Sequence, residues 1–182
     1  MNIFVSTTYF GKKNSELNKV LNQLKTVNID GIEIGSTHKY QTKKYFQKII
    51  KGNKPKRILL HNFFPPSKEE DFVINIASNN KLIRKKSIDL IINNIDFSKK
   101  VNSELYTFHP GFVSDGKIQA NYERKNYDFN FSNNITNKNL AFELMLNSLK
   151  KIIKYAKFKK MKIAIETEGS VKKSNYLMMQ RP

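Results

Sequence analysis

Three short apolar runs in this sequence each end in a side chain that can bind a metal or move a proton. Arg57-Ile58-Leu59-Leu60 is closed by His61, Leu105-Tyr106-Thr107-Phe108 by His109, and Lys162-Ile163-Ala164-Ile165 by Glu166. Turn residues follow each: Pro65-Pro66, Pro110-Gly111 and Gly169. Imidazole nitrogens and a carboxylate suit Zn²⁺, Mn²⁺ or a similar ion, and either group can carry a proton. The runs have the composition of short buried strands. In barrels and open sheets of parallel strands, ligands bind at the C-terminal strand ends. The pattern therefore predicts that His61, His109 and Glu166 share one rim. A lone strand-end histidine is more often a packed core residue. Two at equivalent strand ends, with a glutamate on a third, favour a functional rim.

Three further residues are weighed beside them. Glu168 lies two residues beyond Glu166 and would share its face in an extended chain; a solvated loop position is the expectation. Glu33 faces opposite to Ile32 and Ile34 and is expected to point into the strand-bounded interior. A buried carboxylate is costly unless paired, so Glu33 is read as a site residue or as the partner of a lysine. His38 falls in a loop and is expected at the surface.

The elements that must position these residues alternate along the chain. Asn2–Ser6 reads as a first strand. Ser15–Val27 reads as an amphipathic helix through Leu17, Val20, Leu21, Leu24 and Val27, with Asn14 as N-cap. Gly31–Gly35 is a second strand, and Gln41–Ile50 a helix with Tyr45, Phe46, Ile49 and Ile50 on one side. The third strand, Ile58–His61, precedes a long connection, Asn62–Ala77. A helix follows over about Asn80–Ile95, capped by Ser78 or Asn79, with Ile83, Leu90, Ile91 and Ile95 as its apolar face. Glu104–His109 is the fourth strand, and Pro110–Lys138 a second long connection. Leu140–Phe158 is the longest helix, with Leu140, Leu144, Met145, Leu149, Ile152, Ile153 and Ala156 at helical spacing. Ile163–Ile165 is the fifth strand. Regular βα alternation predicts an α/β fold of parallel strands with right-handed crossovers in a single domain, 1–182. No Gly-x-Gly-x-x-Gly follows the first strand, so a dinucleotide sheet is unsupported.

Composition narrows the classes. The absence of cysteine excludes disulfide and thiolate chemistry. No apolar run is long enough to span a membrane, and the N-terminus lacks signal-peptide character, so a cytoplasmic protein is expected. The formal net charge is +18, which would suit phosphate backbones. Yet lysine outnumbers arginine 29 to 4, and the chain is rich in Asn and Ile. AT-rich coding would produce that bias without selection for a partner, and arginine is the usual choice for bidentate phosphate contacts.

The ordered series resembles the xylose isomerase-like (β/α)8 barrels, which include sugar isomerases and epimerases and the endonuclease IV type of nuclease. It is carried by the first strand, by Asp30-Gly31-Ile32-Glu33-Ile34 of the second, by His61, by Phe108-His109-Pro110-Gly111 and by Ile165-Glu166-Thr167-Glu168-Gly169. The stretch from His61 through Ser78 is similar to the sugar phosphate isomerase/epimerase branch. The resemblance implies that Glu166 is metal ligand and acid/base. It implies that His61 and His109 bind metal or substrate, and that Glu33 assists. The metal would be divalent, with Mn, Zn and Mg all open, and the substrate a sugar or sugar phosphate. The Gly111–Lys138 connection would cover the site. In the nuclease branch, the positions of His61, His109 and Glu166 are zinc ligands. The expectation is thus a partial (β/α)8 TIM barrel of about five parallel βα units, truncated after the fifth strand and so of doubtful activity alone. Its expected function is metal-dependent isomerase or epimerase-like proton transfer beside a carbonyl. An abasic-site nuclease and a non-catalytic basic nucleic-acid-binding or structural protein remain alternatives, and homo-oligomer formation stays open.

Overall fold

The computed structural model describes residues 2–10, 16–35, 38–67, 72–121, 126–167 and 178. In chain order the elements are β1 (Phe4–Ser6), α1 (Thr7–Phe10), α2 (Leu17–Leu24), β2 (Gly31–Ile34), α3 (Lys43–Asn53) and β3 (Ile58–His61). They continue with α4 (Lys81–Lys100), β4 (Leu105–Phe108), β5 (Gly116–Asn121), β6 (Asn126–Phe131), α5 (Lys138–Phe158) and β7 (Ile163–Ile165). Five strands form one parallel sheet in the order β1-β2-β3-β4-β7. Each new strand is laid beside the last, so the winding never reverses. Right-handed crossovers then put every helix on the same face, which is the arrangement of a barrel and not of a doubly wound sheet.

The two sheet faces differ accordingly. Ile32, Ile34, Ile58, Leu60, Tyr106 and Phe108 point toward the helices and are all at most 6% exposed. The alternate positions Glu33, Leu59, His61 and Leu105 stay half-buried on the opposite, inner face, whereas Thr107 there is buried. A closed barrel would fill that inner face with side chains from all its strands. Among the described residues it is lined from five strands.

Several expectations shift. Helix α4 runs on to Lys100 because Phe97 and Ser98 still face the core. Its cap is Asn80, whose side chain accepts from Leu82 N and Ile83 N, and not Ser78 or Asn79. Helix α3 is capped by Thr42, which accepts from Tyr45 N, and Tyr45 itself is exposed. Asn14 lies outside the described residues, and the position before α2 is Glu16, without a side-chain cap bond. On α5, Leu140 and Ile153 are exposed, and the buried face is Ala141, Met145, Ser148, Leu149, Ile152 and Ala156. The Pro110–Lys138 connection is not a plain loop. It carries the antiparallel hairpin β5–β6, anchored by a small cluster of Val73, Phe112, Phe131 and Ile118.

Candidate metal centre and active site

His61 is the last residue of β3, and its register partner across the sheet is Thr107 of β4. Registered neighbours in a parallel pair point to the same face, and here the side chains meet: His61 Nδ1 and Thr107 Oγ1 share a hydrogen bond of 2.8 Å. His109 lies two residues beyond Thr107, on the same face by alternation. Its ring stands edge-on to that of His61, centroids 5.2 Å apart and planes at 86°. Glu166 continues the ladder beyond β7, its N–H donating to Phe108 O at 3.0 Å. Its Oε1 lies 3.3 Å from His61 Nδ1. One ligand atom from each of His61, His109 and Glu166 falls within 4.8 Å of the others.

The electrostatics follow from this crowding. The hydrogen bond from His61 is the largest influence on Glu166 and lowers its pKa; burial opposes it. The His61 charge, a hydrogen bond from Thr107 and the His109 charge add to the lowering, and the carboxyl is held at about 2. Glu166 is therefore an anion throughout the neutral range.

The local backbone is fixed from behind. Asn62, next to His61, has φ +44. Its N–H donates to Thr107 O at 2.7 Å, and its carbonyl accepts from Tyr106 Oη at 2.7 Å and Asn94 Nδ2 at 3.1 Å. Tyr106 is fully buried, and burial pushes its phenol pKa well up, so it stays a donor. After His109, Pro110 offers no N–H, and Gly111 takes φ +101. The turn is clamped by Asn75, whose Oδ1 accepts from Phe112 N at 3.0 Å and Ala77 N at 3.1 Å. Asn75 Nδ2 donates to Asp115 Oδ1 at 2.9 Å, and Asp115 Oδ2 accepts from Ser78 Oγ at 2.9 Å.

The structure thus brings together His61, His109 and Glu166. Glu33 lies on the same sheet face, but it pairs with Leu59, two residues before His61, and so sits one pleat lower and one strand away. It is not part of the three-residue cluster. Glu168 lies outside the described residues. The surface reading of His38 is overturned: it is 3% exposed, hydrogen-bonded through Nε2 to Thr7 Oγ1 at 2.8 Å and edge-on to Phe64. Sequence reasoning missed Thr107 and Asn75. Thr107 was accessible as the residue two before His109 on one strand. Asn75 was accessible as the lone polar residue in Phe72-Val73-Ile74-Asn75-Ile76-Ala77, since a buried amide in an apolar run must find partners.

The donor set fits a divalent ion. Bonds of ~2.0–2.2 Å hold any two ligands within about 4.4 Å of each other. Three ligands on one ion at tetrahedral or trigonal angles lie about 3.3–3.8 Å apart, so the three atoms would close around an ion by pairwise approaches of at most about 1.5 Å. Three protein ligands leave open positions, as in catalytic sites.

A family description, xylose isomerase-like TIM barrel, matches residues 21–175. The chain belongs to that family. No curated protein matches the sequence. Among solved structures it is similar to a D-tagatose 3-epimerase-like protein, at 20% identity over 94% of this chain and 55% of the other, with TM-score 0.62. It is similar to D-psicose 3-epimerase from Clostridium cellulolyticum H10, solved with D-tagatose, at 13% identity over 99% and 55%, with TM-score 0.67. It is also similar to the 3-keto-D-glucoside 4-epimerase YcjR from E. coli, at 13% identity over 93% and 57%, with TM-score 0.61. These likenesses establish the fold, and the chain spans just over half the length of each of the three. Among the described residues, no helix is long and apolar enough to cross a membrane.

Proposed function

We propose that this chain carries the metal- and substrate-binding rim of a sugar or sugar-phosphate isomerase/epimerase-like barrel. The observation that carries the reading is the convergence of His61, His109 and Glu166 at C-terminal strand ends, on the open inner face of the sheet. Family membership and structural neighbours with epimerase activity support it. A divalent ion (Mn, Zn or Mg) bound there would polarise a sugar carbonyl or hydroxyl oxygen. Glu166 would bind it as a permanent anion, and His61 and His109 would complete the ligand set or hold substrate oxygens. With its pKa at about 2, Glu166 is a weak proton acceptor while His61 donates to it. Its ligand role is therefore primary, and proton transfer at Oε1 requires that bond to be released. Glu33, one pleat lower, would accept a hydrogen bond from a sugar hydroxyl reaching down the inner face. The substrate would be a free or phosphorylated ketose.

The test is binding and exchange. Titration calorimetry with Mn²⁺, Zn²⁺ and Mg²⁺ is expected to show one site in the wild type, lost in His109→Ala. Wash-in of deuterium from D₂O beside the carbonyl of D-tagatose or D-fructose then reports proton transfer. Absence of a site for any of the three ions overturns the reading. Metal binding with cleavage of an abasic duplex, and no deuterium wash-in, would replace it with the nuclease reading.

A further inference from the structure

The inner face of the sheet carries a second polar group beside the rim. Ser6 of β1 is the register partner of Glu33 of β2, so the two side chains share that face. Gly35 lies two residues beyond Glu33, on the same face by alternation. It follows the register pair Ile34–Leu60, which sets it beside His61. A side chain at this position would stand between β1 and the rim. The fold leaves no room for one: a Cβ on Gly35 would lie 2.2 Å from Thr8 Oγ1 and 3.8 Å from Ser6 Oγ. The Thr8 hydroxyl thus leans into the gap that Gly35 leaves, on the face that carries His61.

This wall has hydrogen-bonding capacity to spare. Ser6 Oγ and Thr8 Oγ1 share one hydrogen bond at 2.9 Å, and Thr8 N donates to Ser6 Oγ at 3.4 Å. Two hydroxyls carry two protons, so the pair keeps one donor and an acceptor lone pair for another molecule. Glu33 is half-buried, and among the described residues it has no hydrogen-bond or ion-pair partner. A half-buried carboxylate is costly until something donates to it. A group that only accepts, beside a pair that both donates and accepts, matches neighbouring hydroxyls of a sugar chain.

Distance sets the length of that chain. Adjacent strands lie about 4.8 Å apart, so β1 stands roughly 10 Å from His61 across two spacings. A triose held at the rim ends short of Thr8, whereas a pentose or hexose chain reaches it. We propose that Ser6, Thr8 and Glu33, with Gly35 as the gap between them, form a second subsite. It holds hydroxyls at the end of the ligand remote from the rim, so the ligand is a ketose of pentose or hexose length. This deepens the sugar reading and rests on it.

The test loads the full chain with Mn²⁺ and compares D-fructose with dihydroxyacetone by ligand-observed NMR. The wild type should bind D-fructose at least about tenfold more tightly. Thr8→Val keeps the shape of an exposed side chain and removes its hydroxyl. It should weaken D-fructose binding by about five- to tenfold and leave dihydroxyacetone and Mn²⁺ binding unchanged. Thr8→Ser should keep wild-type affinity, and Gly35→Ala, which displaces the Thr8 hydroxyl, should act like Thr8→Val. Equal affinity of the wild type for the two sugars overturns the subsite and leaves the sugar reading standing. So does a Thr8→Val variant that binds D-fructose as the wild type does, or one that loses Mn²⁺ affinity as well, since Thr8 would then be structural. Bound Mn²⁺ with no binding of either sugar overturns the sugar reading itself, and the subsite with it.

Discussion

Asn75 Oδ1 occupies the space in which a side chain at Gly111 would begin, 2.4 Å from where its Cβ would stand. The two residues are far apart in sequence, yet their contact sets the turn that follows His109. Gly111 also has φ +101, which a substituted residue adopts only with strain. Gly111→Ala should therefore destabilise the fold by about 2–3 kcal/mol, read as a lower urea midpoint at unchanged slope. Asn75→Ala removes the obstructing atom but leaves Phe112 N and Ala77 N without their acceptor, so it should not rescue Gly111→Ala. Equal stability of the Gly111→Ala variant and the wild type would show that the turn is looser than this contact implies.

Much of the rim was readable because each of its residues closes an apolar run. Ile58–His61 is a strand with the bounds that composition indicates, and His109 and Glu166 directly follow β4 and β7. What failed was whatever depends on distant partners. Nothing near His38 in sequence signals burial; it is covered by Thr7 and Phe64. Likewise, Leu140 and Ile153 carry the same apolar signal as Met145 and Ile152, and only the placement of α4 and the sheet separates exposed from buried. The hairpin β5–β6 was hidden by polar composition, although Tyr127, Phe129 and Phe131 alternate with Asp128 and Asn130 at strand period.

The Thr107 hydroxyl holds the His61 ring through Nδ1 and, with Glu166, sets the orientation of the imidazole. Thr107→Val preserves shape in a buried position and removes that bond. Metal affinity at the rim should drop by about 10–100-fold, the usual effect of losing such a partner. Thr107→Ser should restore it. Nitrogen shifts of the His61 ring, followed by NMR in the metal-free protein, should change in the valine variant and recover in the serine variant. A valine variant with wild-type shifts and affinity would remove Thr107 from the positioning role.

Asp96 gives a pH dependence away from the rim. Burial raises its pKa, but hydrogen bonds from Lys159 and Tyr155, with the charges of Lys159 and Lys100, outweigh burial, and the net shift is downward. A carboxyl with a depressed folded pKa stabilises the fold above its unfolded pKa of about 3.9 and loses that contribution as pH falls through the folded value. Asp96→Asn should cost about 0.5–1 kcal/mol at pH 7, a figure kept small because the pair is a third exposed to solvent. The variant and the wild type should converge in stability as pH falls below 3.9. Urea midpoints at pH 7 and at about pH 3 measure this. A gap that widened at low pH would contradict the downward shift.

Glu166→Gln tests whether the rim binds cations through charge or merely fills space. The amide keeps the size of the carboxylate and an oxygen that can still accept from His61 and Thr107, so the fold should persist. What disappears is the negative charge that two imidazoles and a hydroxyl now surround. Divalent affinity should fall by at least about tenfold, since the proposed ion would lose its anionic oxygen donor. Far-ultraviolet circular dichroism should be unchanged, which separates loss of the ligand from loss of structure. If instead the variant bound Mn²⁺ or Zn²⁺ as tightly as the wild type, Glu166 would be a structural partner of His61, and His109 with His61 alone would have to account for any metal.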